Sequence, residues 1–312
     1  AEGAWQDVIN DFKKGRLKKF YSSDIRPPLD NLAFPRRDLV KGKKYLTKNI
    51  IQTTRGCPFS CTFCTVTNFF GNTYRYRPIK DVISEVESLD GNFIVFIDDN
   101  ILANPKRAKE LFTALIPYKK RWVSQSSINL AKDKEALALA EKSGCIGMFI
   151  GFESISQESL HAIKKSTNQV STMRDSIKRI HDHGILIEGA FIFGLEEDNR
   201  DSLLRTLDFA MEMRFSAVNF FVLTPFPGTQ IREQIEKDGR IIEKDWSKYN
   251  NFTVVFKPKN MTPKELQAMA IFAKQPFYSY TSIIKRHFPR KKHALASLGY
   301  NLLRRRSTTK RA

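Results

Sequence analysis

The chain has 312 residues, 41% hydrophobic and 12% aromatic, enough to bury a large α/β core and unlike a disordered polymer. No apolar run reaches the ~18 residues a membrane-spanning helix needs, and the N-terminus is not a signal peptide, so a soluble, cytoplasmic protein is expected. The net charge of +19 is concentrated at one end: residues 285–312 contain ten Lys or Arg and no Asp or Glu.

In chain order, AEGAWQDVINDFKKGRLKKFY reads as an amphipathic helix with Trp5, Val8, Ile9 and Phe12 on one face. A proline-rich connector, RPPLDNLAFPRRD, follows. From Asn49 the pattern changes to short apolar runs: NIIQTT, NFIVFIDD, RWVSQSSI, IGMFIGFES, ILIEGAFIFG and AVNFFVLTP. These are nearly continuous in apolar residues, as strands covered on both faces are. Between them, IKDVISEVESL, PKRAKELFTALIPY, KEALALAEKSG, VSTMRDSIKRIHDHG and DSLLRTLDFAMEMR have helical spacing. Pro105 lies near a helix start, and Gly144 and Gly184 fall at helix ends. Six β/α units predict an α/β fold, a partial (β/α)6 TIM-type barrel, with a doubly wound open sheet as the competing topology. The expected organisation is an N-terminal helix and linker over 1–48, the barrel over 49–240, and a helical, basic C-terminal extension over 241–312.

Cys145, ahead of an apolar run, reads as a small buried hydrophobe. Cys57, Cys61 and Cys64 are crowded at spacing C-x₃-C-x₂-C, a poor disulfide framework and a plausible metal or redox motif. They follow the first strand directly, where a barrel keeps its active site. The spacing is too compact for a tetrahedral zinc site without a second ligand pair, and His161, the nearest histidine, lies in a helical stretch. Iron–sulfur clusters are held by thiolates, normally four; three leave one iron open to a substrate. HDHG at residues 181–184 is not read as a metal site, because histidines two apart on a helix point to different sides.

Polar residues also gather at the strand ends. Asp98, Asp99 and Asn100 close the second run, suited either to an ammonium ligand or to capping the next helix. Glu153 closes the fourth. Ser124, Gln125 and Ser126 interrupt the third. Glu188 interrupts the fifth, where Gly189 lets a ligand approach the backbone. Leu223, Thr224 and Pro225 end the sixth.

Cys57, Cys61 and Cys64, with Phe63 immediately before the third cysteine, resemble the signature of the radical S-adenosylmethionine (SAM) superfamily, and the likeness spans residues 49–240. The resemblance implies a [4Fe–4S] cluster on the three thiolates, with SAM chelating the open iron through its amino and carboxylate groups. An electron from the cluster then breaks the sulfonium bond, and the resulting 5′-deoxyadenosyl radical abstracts hydrogen from substrate. It further implies Phe63 against the adenine, Asp98, Asp99 and Asn100 at the SAM ammonium, and Glu153 at the ribose hydroxyls. Ser124 or Gln125 would touch SAM or substrate, Glu188 and Gly189 form a weaker SAM-binding element, and Leu223 and Thr224 meet the adenine edge through backbone groups. An electron donor of flavodoxin or ferredoxin type is implied as partner.

LDNLAFPRRDLV, RPIKDVISEVESL, FIGFESI, GAFIFGLEED and TPFPGTQIREQIEKDGRI look like the subgroup in which the radical SAM barrel follows a cobalamin-binding domain. That subgroup includes methyltransferases acting at unactivated carbon and the anaerobic oxidative cyclase of chlorophyll synthesis. On this likeness residues 1–48 are the remnant of, or linker from, such a domain, which is absent here together with its D-x-H-x-x-G motif. Cobalamin, where used, is then expected from a separate cobalamin-binding protein. The expected substrate is a small molecule or lipid precursor, and the expected reaction cobalamin-assisted C-methylation or oxidative rearrangement. The alternatives are a tRNA-modifying radical SAM enzyme and a truncated, non-catalytic iron–sulfur and SAM-binding protein. The basic tail is expected to touch nucleic acid or an anionic membrane surface, the latter making the protein peripheral to the membrane.

Overall fold

A computed structural model describes residues 3–23, 26–40, 42–43, 45, 47–288 and 292–309, the last three by backbone alone. Helix α1 (Trp5–Lys13) forms where its spacing predicts, but Trp5, Ile9 and Phe12 are exposed and meet no core among the described residues.

Strand β1 (Ile50–Ile51) opens the main sheet. A small antiparallel hairpin, β2 (Thr54–Arg55) with β3 (Arg75–Tyr76), encloses the cysteine loop and α2 (Thr65–Phe70). The β/α alternation then runs α3 (Ile79–Glu87), β4 (Phe93–Phe96), α4 (Pro105–Leu115), β5 (Arg121–Ser126), α5 (Lys134–Lys142) and β6 (Cys145–Glu153). It continues through α6 (Gln157–Ala162), α7 (Val170–Asp182), β7 (Leu186–Phe193), α8 (Arg200–Glu212) and β8 (Ala217–Val222). The six main strands are parallel in the order β1-β4-β5-β6-β7-β8, and β1 and β8 do not pair. The expected partial barrel is therefore present, open along one side.

Alternation along the strands sets two faces. On β5, Trp122, Ser124 and Ser126 are buried against the helices, whereas Val123 and Gln125 face the concave side. Gln125, Phe149 and Glu188 stand in register across β5, β6 and β7 on that concave side. Behind β6–β8, Phe152, Phe191 and Phe215 pack with ring centroids 4.9–6.0 Å apart. Such pairs add about 1 kcal/mol each beyond area burial. Cys145 is buried at the start of β6, and the surrounding apolar core pushes its thiol up. His183 bonds Glu141 through Nδ1 at 2.8 Å and serves as an inter-helix contact.

Helices α9 (Gln230–Lys237), α10 (Pro263–Phe272), α11 (Lys274–Phe277), α12 (Tyr280–His287) and α13 (Ala294–Thr309) follow β8. The C-terminal region is not a free basic arm. Buried Arg286 donates to Phe215 O (2.6 Å), Ser216 O (3.2 Å) and Phe277 O (2.9 Å). Arg304 donates to Val218 O, Arg305 to Tyr278 O, and Lys292 pairs with Glu141 at 2.6 Å. Composition alone reads these cations as solvated, whereas the unpaired edge of β8 supplies acceptors for them. Tail residues 289–291 and 310–312 lie outside the described residues. No helix of the described chain is long and apolar enough to cross a membrane.

Candidate active site

The cysteine loop leaves β1 through a crowded turn. Gly56 has φ 90°, and a Cβ there would meet Thr73 O at 2.2 Å, so only glycine fits. Its N–H donates to Asp99 Oδ2 at 3.2 Å. Pairing of Thr54 with Tyr76 and Arg55 with Arg75 closes the base of the excursion. The loop then crosses the barrel mouth: Thr62 N–H donates to Ile163 O (3.0 Å) beyond α6, and Thr62 O accepts from Ile231 N–H (3.1 Å) in α9. Asn68 also donates to Gly228 O. The loop thus straps the C-terminal end of the sheet, from β1 to the segments that follow β6 and β8.

All three thiols titrate above their ordinary range, Cys61 at about 11. Burial is the main cause; repulsion among the three sulfurs adds to it, and the Lys165 ammonium opposes it. These mutual effects show that the sulfurs and Lys165 share one electrostatic neighbourhood. Lys165 is held protonated: burial disfavours its charge, but Glu153, then Cys61 and Cys64, outweigh that. Its Nζ donates to Glu153 Oε1 at 2.7 Å.

The pair is built by local backbone. Glu153 stands at a register shift in β6 with φ 63°, a region few side-chain-bearing residues adopt. A Cβ at Gly151 would lie 2.2 Å from Glu153 Oε1 and 3.0 Å from Lys165 Nζ, so this glycine leaves the room the pair occupies. Asn168 donates to Gly151 O (3.0 Å) and Phe152 O (2.9 Å), clamping the loop that carries Lys165 onto the strand end.

The residues fit a thiolate-held cluster. Metal ligation requires thiolates, and burial alone resists their formation. Lys165 supplies positive charge where three thiolates would accumulate. Among the described residues, no three His, Cys, Asp or Glu side chains surround one point as a single ion requires. A multi-iron cluster gives each thiolate its own iron.

Of the sequence-expected residues, the structure brings Cys57, Cys61, Cys64, Asp99 and Glu153 together, with Phe63 partly buried against the adjoining core. Others are placed differently. Asp98 is fully buried and turned inward, accepting from Thr53 N–H (2.6 Å), Thr53 Oγ1 (2.7 Å) and Thr54 N–H (2.7 Å), so it ties β1 to β4. Asn100 accepts from the N–H groups of Leu102 and Ser127, both at 3.2 Å. Neither residue caps α4, whose cap is Asn104. Ser124 is buried on the helix side of β5, while Gln125 is exposed on the concave face. Glu188 accepts from Asn219 (2.7 Å) and Tyr300 (3.2 Å). Gly189 is packed against Phe215, whose ring carbons lie 3.2 Å from where a Cβ would be, so an aromatic ring fills its space rather than a ligand. Leu223 N–H is paired with Phe193 O and Thr224 O with Phe226 N–H, which engages backbone groups expected at the adenine edge.

Sequence reasoning missed Lys165 and Tyr74. A lysine just past a short helix reads as solvated, and only the Asn168 clamp turns it inward. Tyr74 is pushed up to about 12 by burial and by the Asp98 carboxylate.

Residues 51–210 match the radical SAM superfamily. The bacteriochlorophyllide d C-12(1)-methyltransferase of Chlorobaculum tepidum is 32% identical over 91% of this chain and 64% of its own length. The anaerobic magnesium-protoporphyrin IX monomethyl ester cyclase of Cereibacter sphaeroides is 28% identical over 75% of this chain and 39% of its own. The chain therefore spans roughly 40 to 65% of these curated relatives. Among solved structures, the radical SAM methyltransferase TsrM from Kitasatospora setae, with cobalamin and a [4Fe-4S] cluster bound, superposes with TM-score 0.57 at 19% identity. That match covers 71% of this chain and 43% of TsrM. The cobalamin-dependent SAM radical enzyme OxsB gives 0.59 at 14% identity, covering 83% and 46%. At such identities these structures establish a shared fold.

Proposed function

The chain belongs to the radical SAM superfamily, and on that premise we propose that it is an enzyme that uses a [4Fe–4S] cluster and SAM to begin radical chemistry on a small organic or lipid-precursor substrate. The observation that carries this is the convergence of Cys57, Cys61 and Cys64 with buried Lys165 beneath a loop strapped across the barrel mouth. When bound, the cluster supplies the electron that cleaves SAM to a 5′-deoxyadenosyl radical, and the protein supplies binding, orientation and exclusion of water.

In this reading the three thiols give up their protons to become ligands, and Lys165 offsets the charge they acquire. Asp99, held by Gly56 N–H, is the carboxylate available to the SAM ammonium, since Asp98 and Asn100 are engaged elsewhere. Phe63 and the Glu153–Lys165 pair border the space for the rest of SAM. We read residues 1–48 as the connection from a cobalamin-binding-like domain, 49–240 as the radical SAM core, and 241–312 as a C-terminal extension. The named methyltransferase and cyclase relatives support C-methylation or oxidative rearrangement as the reaction class. Cobalamin assistance rests on the subgroup resemblance, and no described residue is assigned to it. A flavodoxin or ferredoxin serves as electron donor. A nucleic-acid substrate is disfavoured because Arg286, Lys292, Arg304 and Arg305 are turned into the protein.

Anaerobically reconstituted protein given dithionite and SAM is expected to release 5′-deoxyadenosine, and Cys61→Ala to release none. A chain that binds about four irons yet releases no 5′-deoxyadenosine under these conditions contradicts the proposal.

A further inference from the structure

The open side of the barrel at β1 holds a cavity of about 490 Å³ between the strands and the linker of residues 32–48. That size lies within the ordinary range of small-molecule sites. On β1 and β4, Ile50 and Ile97 are 43% and 45% exposed, while their neighbours Ile51 and Phe96 are 1% exposed. The exposed pair lines the cavity, faced by Leu32, Pro35 and Val40 from the linker.

The wall also carries an excess of positive charge. Arg36, Arg37, Lys48, Arg55 and Arg77 line it against a single carboxylate, Glu85. Arg37 and Arg77 share Glu85 at 2.5 Å each, so one carboxylate serves two guanidinium groups. Arg36 is matched by Asp38 outside the cavity, at 2.6 Å. The balance remains positive beside an apolar surface. The upper end borders the reaction site, since Arg55 precedes Gly56 and Cys57, and Ile97 precedes Asp98 and Asp99.

We propose that this seam binds an amphipathic organic anion, an apolar body bearing a carboxylate that Arg55 and Lys48 receive. It is the chemical class of the substrate, and the assignment rests on the reading that substrate meets the radical at the barrel mouth. Apolar surface on β1, β4 and the linker holds the body, and the cationic rim orients the acid group.

The test is fluorescence anisotropy with a matched probe pair, 1-pyrenebutyrate and 1-pyrenebutanol, on the full chain. The acid should bind at least about tenfold more tightly than the alcohol, the worth of one charge-assisted contact. Arg55→Gln should remove that advantage while leaving the alcohol unchanged, and Arg55→Lys should restore most of it. Ile50→Asp should weaken both probes. Thermal unfolding of each variant checks that it is folded. Equal binding of the two probes, indifference to Ile50→Asp, or the same loss from Lys142→Gln, an exposed lysine on α5, overturns the proposal. The measurement needs neither cluster nor SAM. Its failure therefore leaves the 5′-deoxyadenosine prediction standing, and absent radical chemistry leaves the binding result readable.

Discussion

Glu153 keeps φ at 63° in a strand that is otherwise regular, and it does so beside the only buried lysine in the cysteine neighbourhood among the described residues. Backbone strain of this kind persists where surroundings over-determine it. Here those surroundings are the Asn168 clamp and the space left by Gly151. Gly151→Ala tests the arrangement. The new Cβ would press on the ends of flexible side chains, so thermal stability should change little. The displaced Glu153–Lys165 pair should nevertheless lower 5′-deoxyadenosine release by roughly 10²-fold, the usual effect of a misplacement near 1 Å. Unchanged release would remove the pair from the account. At this scale the cysteines were legible from spacing alone. The choice between Asp98 and Asp99 was not, because adjacent residues at a strand end point to opposite faces and the sequence does not say which face is the mouth.

Among the elements, both edges of the open sheet are sealed by side chains instead of by closure. Arg37 donates to Lys48 O (3.1 Å) and Ile50 O (2.6 Å) at the β1 edge. At the β8 edge, Tyr278 OH accepts from Val218 N–H (3.1 Å) and donates to Val218 O (2.9 Å), while Arg286 covers Phe215 O and Ser216 O. Unpaired strand edges invite pairing with other chains, and these contacts block it. Arg286→Met leaves buried carbonyls without donors, at about 1–3 kcal/mol for each orphaned group. The variant should lose roughly 3 kcal/mol in urea unfolding, with hydrogen-exchange protection falling first in α12, α13 and β8. A stability within 0.5 kcal/mol of the parent, about the scatter of a neutral surface change, refutes the sealing role. The main strands were legible as continuous apolar runs and the longer helices from their spacing. The β2–β3 hairpin was not, since two-residue strands carry no periodicity. Nor was the inward use of the tail's arginines, because composition records charge and not its partner.

For the whole molecule, one geometry relates the parts. A parallel sheet with its C-terminal end up places loops from β1, β4 and β6 at a single mouth, which is where barrels do chemistry. The cysteine loop straps that mouth, the seam at β1 gives access from the side, and α10–α13 cover the opposite edge. The barrel class and the location of the thiolates followed from the order of runs and the position of one motif. The seam did not, because it is made by a proline-rich linker whose folding back has no signature in hydropathy. The central claim is that three thiolates leave one iron of a cluster free for SAM. Mössbauer spectroscopy of ⁵⁷Fe-reconstituted protein, with and without SAM, addresses it most directly. The account predicts that SAM alters one iron site in four and leaves the other three unchanged; four irons indifferent to SAM, or a metal bound as a single ion, would contradict it.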